Sequence, residues 1–222
     1  MRFSGATLSC SIGESVEKVD LKRNLKQFYS PPSKEVVIVN VPAFNFIMID
    51  GQGNPNSSQE YKDALAALYA MSYTLKFMLK KAGTMDYTVM PLEGLWWTDA
   101  GADGFELFNL DTAYWTSMIM QPEAVTKQSY DDALRDVMRK KELPSIGKMR
   151  LQRFEEGLSV QIMHIGPWSA ETPTIERLHR FAEEQGYRLR GKHHEIYLGD
   201  PRRTAPEKLK TVIRQPVERV TG

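Results

Sequence analysis

The sequence has a single cysteine, Cys10, and so cannot close an internal disulfide. A reducing compartment is the default for such a chain. It also lacks an excess of charge of either sign: 29 basic and 28 acidic side chains leave a formal net charge of +1. That balance supplies no large field to hold a phosphate backbone, which excludes a general nucleic-acid binder. Nowhere do about eighteen apolar residues run together, so no membrane-spanning helix is expected. Residues 1–10 carry no long apolar run behind a basic start, unlike a secretory signal, and the expected location is the cytoplasm.

Catalytic signatures are equally scarce. There is no Gly-x-Ser-x-Gly elbow, no Gly-x-x-x-x-Gly-Lys phosphate loop and no Gly-x-Gly-x-x-Gly. Gly51-Gln52-Gly53 is only a two-glycine fragment and reads as a turn. The four histidines are His164, His179, His193 and His194. Two ligands on one helix face need i,i+4 spacing, and neighbours on a strand point to opposite faces. No metal site and no cofactor are expected.

What remains is ordinary globular material, with 41% apolar and 26% charged residues, so the chain has the means to bury a core. Residues 1–17 read as a loose arm and 16–29 as a short helix stopped by Pro31-Pro32. Residues 35–41 and 44–50 read as strands, 58–79 as a long helix, 87–97 and 112–121 as strands, and 126–140 as a charged helix. The order then recurs. Strands at 149–155 and 158–165 meet at the turn Glu156-Gly157, a helix covers 174–185, and strand-like segments follow at 188–190, 193–198 and 211–217. The expected fold is therefore α+β, a duplicated β-α-β-β unit, with repeats at about 35–121 and 149–217 within one domain over 18–217. The halves echo each other: Ile47-Met48-Ile49-Asp50-Gly51 against Ile162-Met163-His164-Ile165-Gly166, and Glu93-Gly94-Leu95-Trp96-Trp97 against Glu195-Ile196-Tyr197-Leu198. A cleft between two such units is a common ligand site.

The informative segment is the strand at 193–198. Alternation puts His193, Glu195 and Tyr197 on one face, and Ile196 and Leu198 on the other. A carboxylate beside a phenol has two uses if that face lines a cleft. It holds a cation, by charge and ring quadrupoles. Alternatively Glu195 is a base on water and Tyr197 donates to a developing oxyanion. Partial burial is expected to raise the Glu195 pKa toward neutrality, which suits the second use. Trp96, Trp97, Trp115 and Trp168 are candidate aromatic walls, with Trp97 sharing a face with Glu93 and Trp96 on the other.

These segments resemble the GyrI-like small-molecule-binding family. The resemblance rests on Pro91-Leu92-Glu93-Gly94-Leu95-Trp96-Trp97, Trp115-Thr116-Ser117-Met118-Ile119 with Pro122, and most specifically His193-His194-Glu195-Ile196-Tyr197-Leu198-Gly199-Asp200-Pro201-Arg202-Arg203. It implies SHS2-type units related by pseudo-twofold symmetry around a central ligand cleft. Members fused to a helix-turn-helix are drug-sensing regulators. With about thirty residues ahead of its first strand, this chain is expected to make no direct contact with nucleic acid. Stand-alone members that look like it hydrolyse cyclopropanoid DNA-alkylating genotoxins of the yatakemycin and CC-1065 type. By that resemblance Glu195 and Tyr197 are catalytic, and Trp96, Trp97, Trp115, Glu93, His193 and Trp168 bind substrate. The partner is a hydrophobic aromatic small molecule, handled by a monomer or homodimer. Passive sequestration of a hydrophobic or cationic compound uses the same residues, and the loop at 99–110 is a candidate lid. An interaction protein that inhibits DNA gyrase is the third class the family name brings.

Overall fold

A computed structural model describes residues 17–99 and 110–220. Cys10, the expected arm and nearly all of the loop at 99–110 lie outside the described residues. In chain order the elements are β1 (Lys18–Val19), α1 (Leu21–Asn24), α2 (Lys26–Tyr29), β2 (Val37–Val41), β3 (Phe44–Gln52), α3 (Gln59–Lys81), β4 (Asp86–Tyr87), β5 (Leu92–Trp97), β6 (Tyr114–Gln121), α4 (Lys127–Lys140), β7 (Arg150–Phe154), β8 (Gly157–Ile165), α5 (Thr172–Glu184), β9 (Tyr187–Leu189), β10 (His193–Tyr197) and β11 (Lys210–Arg219).

Both halves contribute to one antiparallel sheet, in the order β2-β8-β11-β10-β5-β6-β3-β7, with β9 alongside β11. The fold is α+β and the duplication is visible in that order. Reading outward from the central pair β10 and β5, each half lays down its last two strands and then its second. The outermost strand on each side comes from the other half: β2 pairs with β8, and β7 pairs with β3.

Helices α3 and α5 cover the same face of the sheet. Helix α3 starts at Ser58, whose hydroxyl accepts from the Tyr61 amide, and buries Ala64, Ala67, Leu68, Met71 and Leu75. That three-to-four spacing makes one apolar stripe. It packs on β3 and β6, while α5 packs on β8, β9 and β11 through Leu178 and Ala182. The central strands β5 and β10 therefore lie beneath the seam between the two helices.

Two expected elements differ. The helix over 16–29 is broken into single turns at Leu25, with β1 ahead of them. Tertiary bonds take up the free carbonyls of its last turn: Arg214 donates to the Phe28 carbonyl at 2.6 Å and Gln161 to that of Gln27, also at 2.6 Å. The strand over 87–97 begins only at Leu92, after Pro91, which has no amide hydrogen for a ladder. Asp86 and Tyr87 pair instead with β1.

Candidate functional site

The sheet register assembles the site. Glu195 lies opposite Gly94, His193 opposite Trp96, Tyr197 opposite Leu92, and Trp96 opposite Trp115. All of these face α3 and α5. The Tyr197 hydroxyl donates to Glu195 Oε2 at 2.7 Å and accepts from Trp96 Nε1 at 3.0 Å. Glu195 Oε1 is 3.2 Å from His193 Nε2. Tyr61 of α3 closes one side, with its ring 6.1 Å from Trp96 and 5.1 Å from Trp115. Trp168 stands edge-on to Tyr197 at 5.6 Å and is 42% exposed, which leaves it available to a ligand. The Glu195 side chain keeps 15% of its surface open to solvent.

Two glycines make this packing possible. A Cβ on Gly94 would lie 2.7 Å from Trp96 Nε1 and 3.1 Å from the Tyr197 hydroxyl. A Cβ on Gly51 would lie 2.2 Å from the Trp115 ring. Neither position admits a side chain without moving an indole.

Electrostatics reverse one expectation. Burial alone pushes the Glu195 pKa up, but the hydrogen bond and charge of His193, the Tyr197 hydroxyl and the charge of His194 outweigh it, and the net shift is downward. Glu195 is thus held as a carboxylate. Burial and the neighbouring Glu195 charge hold the Tyr197 phenol well above its usual value, so it stays a donor. The raised carboxyl is a different residue, Glu171. It sits at the N-cap of α5, is 4% exposed, and has Glu195 and Thr211 as neighbours. Burial and the Glu195 charge push it up to about 9. Nothing in the sequence singled out Glu171, because an acidic residue just ahead of a helix reads as a cap. Two further histidines approach from the second half. His164 is bonded to Thr174 at 2.9 Å, and His179 of α5 is lowered to about 4 by burial and by His193.

Glu93 and Trp97 are not in this group. They face the other side of the sheet. There His194 lies between two carboxylates, 3.0 Å from Glu93 Oε2 and 3.0 Å from Glu156 Oε1. Tyr29 donates to Glu93 at 2.8 Å, and Arg214 donates to Glu156 at 2.9 Å. This cluster is fully enclosed. Trp97 stacks on Tyr114 at 5.7 Å, with Lys192 Nζ 3.2 Å above the ring, in an open groove of about 490 Å³ that also holds Asp50 and Arg150. The proposed echo of Glu93 with Glu195 is therefore not kept, since Glu93 lies opposite Ile196 and shares its face rather than that of Glu195. The echo of Ile47 with Ile162 keeps both residues on the helix face. Among the described residues no group of three or more His, Cys, Asp or Glu is placed to hold a metal ion. No described helix is long and apolar enough to cross a membrane.

A model of the GyrI-like small molecule binding domain matches residues 34–218. Three solved structures from Listeria innocua are similar over their whole length. One, described as an uncharacterized conserved protein, is 41% identical with a TM-score of 0.82, and the match covers 90% of this chain and 100% of that one. A second, described as a hydrolase, is 40% identical with a TM-score of 0.78, covering 90% and 100%. A third, also described as a hydrolase, is 41% identical with a TM-score of 0.79, covering 91% and 100%. No curated protein matches the chain.

Proposed function

The chain belongs to the GyrI-like small-molecule-binding domain family, and we propose that it is a cofactor-independent hydrolase of cyclopropanoid DNA-alkylating compounds. One observation carries the reading: an anionic Glu195, bonded to a Tyr197 phenol, lies open beneath a seam walled by Trp96, Tyr61 and Trp168. Two relatives of about this identity are described as hydrolases, which agrees with turnover rather than storage.

The chemistry needs little from the protein. The warhead is a strained cyclopropane conjugated to a dienone. Glu195 takes a proton from water as the water oxygen bonds to the ring CH2. The ring C–C bond breaks and its electron pair moves to the carbonyl oxygen, which becomes a phenolate. As Glu195 takes up the proton, the single O–H of Tyr197, polarised by Trp96, turns from Glu195 to donate a hydrogen bond to that oxygen. His193 orients Glu195. The flat aromatic units of the drug rest against Trp168 and the Trp96 indole. Strain already makes the substrate electrophilic, and positioned acid–base groups add about a hundred- to ten-thousandfold. We read residues 18–217 as one functional unit, since β5 and β10 each supply half of the site, and we place it in the cytoplasm.

A second reading has its own support. A carboxylate held ionised among aromatic rings is also how a protein retains an organic cation. The test incubates the purified protein with a cyclopropanoid drug and follows the dienone absorbance. Catalysed loss of the chromophore supports the hydrolase. Tight binding with no catalysed loss overturns it and leaves the passive binder.

A further inference from the structure

Glu171 precedes α5 in a helical conformation, φ −76° and ψ −25°, directly after a 3-10 turn at Trp168–Ala170, so no cap geometry holds its side chain. Its side chain makes no hydrogen bond to the first turn of α5, although an acidic group there is favoured by both the free amides and the helix dipole. Instead the carboxyl turns to the sheet, against Glu195 of β10 and Thr211 of β11. That carboxyl is buried and lies within hydrogen-bonding reach of both Glu195 and the Thr211 hydroxyl. Burying one carboxyl against another is destabilising unless something else uses the pair.

Two carboxyl groups sharing a site do not both ionise easily, and the environment decides which one keeps the proton. The groups facing this pair assign the roles. Glu195 receives His193, the Tyr197 hydroxyl and the charge of His194 from behind the strand. Glu171 faces Glu195, Thr211 and Tyr197. His164 of β8 approaches the Glu195 side of the pair, and His179 approaches His193.

We propose that Glu171 is the proton donor of a carboxyl pair in which Glu195 is the base, a role that rests on the hydrolase reading above. As Glu195 takes the proton of the attacking water, the bond from water oxygen to the ring CH2 forms and the cyclopropane C–C bond breaks. The electron pair reaches the dienone oxygen, and that oxygen takes the proton of Glu171. The product is a phenol carrying a primary alcohol. Glu195 is then protonated and Glu171 ionised. Transfer of the proton from Glu195 to Glu171 resets the pair with no oxidant, reductant or outside proton.

The first test needs no substrate. Infrared difference spectroscopy at pH 7 is expected to show the carbonyl stretch of a protonated carboxyl that vanishes in Glu171→Gln. No such band, or a band unchanged in Glu171→Gln, overturns the pair whether or not the protein is a hydrolase. The second test uses a cyclopropanoid drug. Glu171→Gln is expected to lower kcat about a hundredfold, to hold the drug within threefold of its normal Kd, and to lose the alkaline fall in activity near pH 9. An alkaline fall that persists unchanged in Glu171→Gln shows a structural role only. If that variant does not fold, Glu171→Asp replaces it. It keeps a carboxyl and must keep both the infrared band and an alkaline fall, and loss of either sinks the proposal.

Discussion

His194 and Glu195 are neighbours in the chain, and each anchors a separate polar cluster on opposite faces of the sheet. His194 is fully enclosed with Glu93 and Glu156, while Glu195 opens toward the helix seam with His193, Tyr197 and Glu171. The strand thus carries an enclosed ion cluster and an ionised carboxylate back to back, and the positive charge on one side helps hold the negative charge on the other.

Removal of His194 should be costly. Glu93 and Glu156 are 1% and 2% exposed at their side chains, and the imidazole bridges them. His194→Gln is expected to destabilise the protein by about 3–5 kcal/mol, the usual cost of breaking a buried ion pair. Urea denaturation measures it. A change under about 1 kcal/mol would mean that the bridge adds nothing beyond packing.

The same cluster sets a pH window. Burial opposes the charge on His194, but Glu156 and Glu93 raise its pKa from 6.5 to about 9. That stabilisation is fully present below 6.5 and lost as pH rises through about 9. Burial likewise opposes the charge on Glu156, but His194 and Arg214 lower it from 4.5 to about 2, so its share is present above 4.5 and lost as pH falls through about 2. The contribution of this cluster should therefore be greatest between 4.5 and 6.5 and decline on the alkaline side, as read from the difference in denaturation midpoints between the protein and His194→Gln across pH, since Glu171, raised from 4.5 to about 9, separately lowers stability from pH 4.5 upward. His194→Gln should flatten the alkaline slope.

Glu195→Gln removes the base but preserves the shape. Turnover of a cyclopropanoid should fall about a hundred- to ten-thousandfold with drug binding largely kept. Single-turnover kinetics and equilibrium binding separate the two. Binding and turnover both unchanged would place the reacting atoms elsewhere.

Gly94→Ala tests the geometry without touching a polar group. The new methyl meets Trp96 Nε1 and the Tyr197 hydroxyl, so the bond between them must break. We expect activity to drop at least tenfold, with a shift in Trp fluorescence. An unaltered rate would show that the Trp96–Tyr197 bond is dispensable.

Much of this was legible in the sequence. Period-two alternation placed Glu195, Tyr197 and His193 on one face of their strand, and Trp96 and Trp97 on opposite faces of theirs, because strand geometry is local. The α3 stripe was legible for the same reason. What was missed depends on partners distant in sequence. The exception is the direction of the Glu195 shift, which comes from His193, Tyr197 and His194 close by in the chain, whose combined pull against burial depends on side-chain geometry that letters do not give. Glu171 was hidden because its neighbours Glu195 and Thr211 lie 24 and 40 residues further on, brought to it only by the way α5 packs on β11.

The exchange of outer strands has a consequence for how the protein can be divided. Each half lends its first strand to the other, so neither can complete its own sheet. A fragment ending after α4 would bare the free edge of β3 and hold β2 with nothing to pair, and the complementary fragment would be left in the same condition. Such edges recruit other chains. The clasp therefore makes the two repeats mutually dependent for solubility as well as for chemistry, and two separately expressed halves should recover a working protein only by finding one another.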